Sequence, residues 1–303
     1  MATYNSRLIT PPSEEEEIYP YRRVWPSIIL ENGILFGIAA ALFALSLFVQ
    51  IPASFHRPLS IALALSPPIL WLAISWRQEQ TALQPRERLL MVAVVSALAA
   101  NAVGLPLIEN VFQPERWLSL QSAINRIIGY TFTVGLVQAM LTYLILYYLA
   151  GSEHLRTRFD TIAYGAASAV GYATVANLDA VLSTNLTPAN AAMNVFNTLA
   201  IQLALSMLVS YGLSEMRFSL RPFVLLPVAT VTLGAFVVGA AIPLRAGLMN
   251  AGISPEFALS LTSPIRGFLF STAVLGGVAF VTSFLLNNAQ QRDLEAAAEE
   301  EAA

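Results

Sequence analysis

The chain has no cysteine, which rules out a disulfide, a thiolate metal site and a cysteine nucleophile. It also has no lysine, since all 16 of its basic residues are arginine, a bias on which no functional inference rests. Charge is scarce: 12% of the 303 residues are charged, where a soluble domain carries roughly 25%. Histidine is nearly missing. His56 and His154 both fall in connections between apolar runs, so no membrane-embedded histidine metal site can form. The net charge of −3 argues against nucleic acid as a partner.

What fills the chain instead is apolar sequence, 56% of all residues, gathered into runs of about 20 residues or more without period-two alternation. Runs of that kind predict an all-α, polytopic integral membrane protein, because only helices or closed barrels satisfy the backbone in lipid. About eight transmembrane helices are expected, over 27–51, 58–76, 89–112, 127–150, 161–184, 191–213, 223–243 and 267–286. The domain division is a polar cytoplasmic arm (1–25), a transmembrane domain (26–286) and an acidic cytoplasmic tail (287–303) whose composition can extend the last span as a helix into water. The start, with Pro11-Pro12 and Glu14–Glu17 ahead of Arg22-Arg23, is expected not to be a secretory signal. The Glu14–Glu17 run reads as a solvated charge cluster. The 244–266 connection holds Ser254-Pro255 and Ser263-Pro264 around an apolar stretch that could re-enter the bilayer.

Orientation follows the arginine bias. With the N-terminus inside, Arg7, Arg22, Arg23, Arg77, Arg86, Arg88, Arg156, Arg158, Arg217, Arg221 and Arg292 are cytoplasmic, against Arg57, Arg116, Arg126, Arg245 and Arg266 outside. Both termini are therefore expected in the cytoplasm, in a multi-pass protein of the cytoplasmic membrane. The lipid bilayer is the partner this composition demands. No cofactor is implied by any motif.

Ionisable groups within spans are functional candidates because they are costly there. Glu31, Glu109 and Asp179 lie near span ends, where a carboxylate can reach water, and the simpler reading for each is a solvated helix end. Neutral polar groups are more numerous: Asn101, Gln138, Thr142, Asn177, Asn194, Asn197 and Gln202 occupy the third to sixth spans. Two readings stand level: interhelical hydrogen bonding, or a polar cavity between these spans. In the fifth span Gly165, Ala169 and Ala173 recur every four residues, with Gly171 close by, which lets a neighbouring helix approach the backbone.

That fifth span, with Asp160, Tyr164, Gly165, Ala166, Ala167, Gly171, Tyr172, Ala173 and Asn177, resembles the D-G-x-x-Y-G-A-A-x-G-x-G-F-A-x-x-E-N segment of the PrsW family of intramembrane proteases, relatives of the CAAX-type proteases. Ser66-Pro67-Pro68-Ile69-Leu70-Trp71 and the polar turn from Arg77 to Pro85 resemble that family's early proline-containing span and charged loop. The resemblance covers roughly residues 60–240 and implies a PrsW/CAAX-protease-like helical bundle of a bacterial inner membrane.

The departures fall on the family's chemistry. Its E-E-x-x-K motif falls on Gln138-Ala139-Met140-Leu141-Thr142, the glutamate of its E-N pair is Ala176 beside Asn177, and its next histidine is Asn194, with Thr198 in the following motif position. The histidine of the seventh span is missing as well. The resemblance thus implies the fold of a protease with a degenerate site: no catalytic residue and no metal ligand. A non-catalytic protein that binds transmembrane helices of other membrane proteins is the leading expectation. An active protease built on Glu31 or Glu109, and an accessory scaffold subunit of a larger complex, are the alternatives. The lack of internal repeats and of buried charge weighs against a transporter.

Overall fold

The computed structural model describes residues 24–49, 51–82, 85–150, 155–219, 224–250 and 262–302, and among these there is no strand. The helices are α1 (Val24–Ser46), α2 (Ala53–Ala64 and Ser66–Gln80, bent by 41°), α3 (Leu89–Leu118), α4 (Ala123–Ala150), α5 (Arg158–Ser183), α6 (Pro188–Phe218), α7 (Leu226–Asn250) and α8 (Thr262–Ala302). The Glu14–Glu17 run, His154 and the central part of the 244–266 connection lie outside the described residues.

Six of these helices, or seven with the bent α2 as one span, are long and apolar enough to cross a bilayer. They expose large apolar side chains outward, among them Leu98, Phe132, Phe236, Phe280 and Phe284, as a lipid-facing belt requires. The protein is an all-α polytopic membrane protein. The helix that falls short of the criterion is α5, and its position explains why. Every residue from Asp160 to Ala173 is buried, so α5 meets protein on all sides and its composition answers to packing, not to lipid. The neighbouring α6 is buried continuously from Gln202 to Ser210. The two form the axis of the bundle. Around them α3 and α2 pack on α5, α1 and α8 pack on α6, and α7 lies between α4 and α6.

Close approach of backbones builds this axis. A Cβ on Gly165 would collide with Ser210 Oγ of α6, and one on Gly171 with the Ala93 carbonyl of α3. The small residues of α5 therefore serve two faces, one toward α6 and another toward α3, where Ser96 Oγ also donates to Ser168 Oγ at 2.8 Å. Gly135 of α4 does the same against Ala235 of α7. Local signals set the helix ends. Thr157 and Asp160 form a reciprocal capping box at the start of α5, and Thr187 caps α6 ahead of Pro188. Wide π-type turns interrupt α3 at Ala100–Gly104 and Leu107–Phe112, and α4 at Thr131–Gly135.

Three expectations need correction. Glu31 is not a solvated helix end: it is 6% exposed, and Ser75 Oγ donates to its carboxylate. The seventh helix does not stop at 243 but continues through Pro243 to Asn250. Membrane helices tolerate an internal proline because neighbouring groups satisfy the freed carbonyl. The second helix begins at Ala53 and bends at Leu65, ahead of Pro67-Pro68, instead of running straight from 58.

Candidate functional site

The two ends of the bundle treat polarity differently. At the end where α5 begins, the turn between α2 and α3 sends Arg86 inward. Its Nη1 donates to Glu79 Oε2 at 2.8 Å and its Nε to Asp160 Oδ1 at 2.7 Å, while its backbone N–H donates to Glu79 Oε1 at 2.9 Å. The second oxygen of Asp160 accepts the backbone N–H groups of Arg156 and Thr157, both at 2.8 Å. All three side chains are at most 4% exposed. Burial works against the Arg86 charge, but the Asp160 and Glu79 carboxylates outweigh it and hold the guanidinium above its ordinary pKa. One turn away, Arg158 pairs with Glu215 and ties the start of α5 to the end of α6.

Toward the other end, α4, α5, α6 and α7 line an open cavity of about 140 Å³ whose wall includes Gln138, Tyr172, Asn197, Thr198, Gln202 and Arg245. The Tyr172 ring is held by the bare backbone of Gly104, where an added Cβ would come within 3.0 Å of the hydroxyl oxygen. Gln202 Nε2 and Asn197 Oδ1 are buried without a hydrogen-bond partner. Nearby, Thr142 Oγ1 and both amide atoms of Asn177 are also buried and unpartnered. Few buried polar groups go unsatisfied in native proteins, so these atoms mark where water or a ligand belongs, as do the unpartnered hydroxyls of Tyr164, Ser206 and Ser210 elsewhere on α5 and α6.

Of the positions singled out by the sequence, Gln138 lies in the cavity wall and Thr198 with it. Ala139 and Thr142, on the same helix, are buried. Asn177 is fully buried beyond that wall, Ala176 is part-buried, and Asn194 lies one turn from Asn197. Gln138, Ala176 and Asn194 do not all converge. Asn197, Gln202 and Tyr172 complete the cavity in their place. Sequence reasoning does not find Arg245, because Pro243 reads as the end of a span and places Arg245 in a loop. The apolar residues on both sides of it, from Ile242 to Met249, were the available signal. The cavity thus carries a positive charge.

Three carboxyls lie near one another on this side of the bundle: Glu109 on the π-type turn of α3, where it is exposed, Asp179 of α5, and Glu115 in the last turn of α3. No group of three or more His, Cys, Asp or Glu side chains that could hold a metal ion is found among the described residues.

The fold and the cavity define a helical membrane protein with a polar site between its central spans. The sequence profile of the PrsW family intramembrane metalloproteases matches residues 84–212. The matched stretch includes Arg86, Gln138, Asp160, Tyr172, Asn197 and Gln202 but not Arg245. No curated protein and no solved structure matches the chain.

The metal implied by the family's description does not fit these residues. Divalent metals of catalytic sites take imidazole, thiolate or carboxylate donors. The cavity wall offers amides, hydroxyls and a guanidinium, and the guanidinium would repel a cation.

Proposed function

We propose that this protein is a non-catalytic member of the PrsW type, one that retains segments of other membrane proteins in its polar cavity without cutting them. The observation that carries this reading is the chemistry of the cavity wall. Peptide hydrolysis needs a group that takes a proton from water and a group that stabilises the oxyanion. Gln138, Gln202 and Arg245 can donate hydrogen bonds to an oxygen, but nothing in the wall can act as the base. What is left is a set of donors and acceptors suited to a polar residue on a partner's transmembrane helix.

The second reading is an active enzyme, with Glu109 of α3 and its neighbour Asp179 of α5 as the carboxyls that could serve it. The deciding assay uses the purified protein in liposomes with a panel of single-span substrates over a range of pH. Intact substrates throughout are expected. Cleavage that stops with Glu109→Gln or Asp179→Asn would overturn the non-catalytic reading.

Both termini are proposed to lie in the cytoplasm, on an arginine bias of eleven inside to four outside once Arg245 is counted within α7. Single cysteines at Glu87, Ser152 and Ser219 are then expected to label only from the cytoplasmic side. Glu87 is chosen because it is exposed, whereas its neighbour Arg86 is buried. Labelling of Ser152 from outside would reverse this topology.

A further inference from the structure

We infer that the α4–α7 cavity is a carboxylate-binding site centred on Arg245. Arg245 has no ion-pair partner among the described residues, and it lines the same space as Gln138, Tyr172, Asn197 and Gln202. A charge within a membrane span is costly unless it is paired, and an unpaired one marks a functional position. The guanidinium fork matches the two oxygens of a carboxylate. Beside it, Gln202 Nε2 is a buried donor without an acceptor, and the Tyr172 hydroxyl borders the same space. The wall contains no carboxylate of its own. The volume of about 140 Å³ is about five times the ~30 Å³ share of one liquid water. That admits a carboxylate on a short stem.

The inference rests on the binding reading of this cavity and names what the cavity selects: a carboxylate, carried either by a small free acid or by a peptide, at an acidic side chain or a free C-terminus.

The test uses the full-length protein in lipid nanodiscs, with thermal midpoint and calorimetric titration as readouts. The probes are propionate, its neutral counterpart propionamide, and chloride at matched ionic strength. Propionate is expected to raise the midpoint saturably, while propionamide and chloride leave it unmoved. Arg245→Gln should abolish the response, and Gln202→Leu should weaken affinity about ten- to hundredfold, the loss of one charge-assisted hydrogen bond. A response to propionamide equal to that of propionate, or a saturable propionate response in folded Arg245→Gln, would overturn the assignment. If Arg245→Gln does not fold, the wild-type contrast between propionate and propionamide, together with Gln202→Leu, decides it.

A short apolar peptide with a free C-terminus, its C-terminal amide, and the amide carrying an internal glutamate separate the sources. Binding of a free-acid peptide assigns a peptide source, and binding of propionate alone assigns a small acid. Because none of these probes needs a partner protein, failure here is distinct from failure of partner retention, which co-purification measures.

Discussion

The Arg86 end and the Arg245 end of this bundle each hold a buried or part-buried guanidinium, yet among the described residues only Arg86 meets a counter-charge. Arg86 meets two carboxylates, and the second oxygen of Asp160 is used up by the capping box of α5. Arg245 meets amides and hydroxyls, several of them without partners of their own. Both arrangements cost desolvation energy. At the first end the chain itself returns that cost, so the result is architecture: the α2–α3 turn is locked to the start of the central helix. At the second no carboxylate of the described residues returns it. The difference teaches that buried polarity in a membrane fold should be read by its degree of completion. A complete network holds helices in register, and an incomplete one waits for a ligand.

The sharpest way to break this comparison is to empty the complete end. Arg86→Met leaves Glu79 and Asp160 buried, adjacent and without a counter-charge. Removal of one partner from a buried ion pair costs about 3–5 kcal/mol. The variant is expected to lose that much stability in mild detergent, read as a large fall in thermal midpoint. Adding Glu79→Gln and Asp160→Asn should recover part of the loss, since the repulsion is then gone. A neutral Arg86→Met would mean that water reaches this network and that it locks nothing.

A smaller effect is expected from the glycines of α5, and here the structure grades two positions that the sequence treats alike. Gly171 faces the backbone carbonyl of Ala93, which cannot move without shifting α3, whereas Gly165 faces the hydroxyl of Ser210, a side chain that can turn. Gly171→Ala should therefore cost about 1–3 kcal/mol, the usual penalty of overpacking, and Gly165→Ala less. Equal midpoints for the two variants would show that α3 and α6 yield equally, and the two-faced packing of α5 would have to be abandoned.

Much of the fold was legible because lipid imposes a strong rule on sequence. The apolar runs located α1, α3, α4, α6, α7 and α8, and the recurring small residues of α5 identified a packing helix although its composition is too polar for a lipid-facing span. The ends were less legible. Pro243 looks like a stop, but in a membrane helix neighbouring groups tolerate it, so Arg245 was assigned to a loop. Glu31 sits near a helix end, and only the fold shows that Ser75 arrives beside it. The site was half legible. Gln138, Asn197 and Gln202 stood out as amides in apolar text, but which of the seven polar candidates share a cavity depends on helix rotation. No period in one sequence fixes rotation when helices are apolar on every face. Asn177 and Asn194 share helices with Tyr172 and Asn197 and still lie outside the cavity wall.

The smallest expected effect, and the one that tests the incomplete end most directly, belongs to Asn177. It is fully buried and neither amide atom has a partner. Replacing a satisfied buried amide by a hydrocarbon of similar size leaves its former partners unpaired and costs stability. Replacing an unsatisfied one strands nothing and removes a desolvation penalty, so the change is near neutral or favourable. Leucine has nearly the shape of asparagine, so overpacking is minor. Asn177→Leu is expected to hold or raise stability, within about 1 kcal/mol of the parent, measured as thermal midpoint in nanodiscs without added ligand. A loss of about 2 kcal/mol or more would mean that Asn177 is bonded after all, through water or lipid. The contrast between a satisfied end and an unsatisfied one would then shrink to the cavity of Arg245 alone.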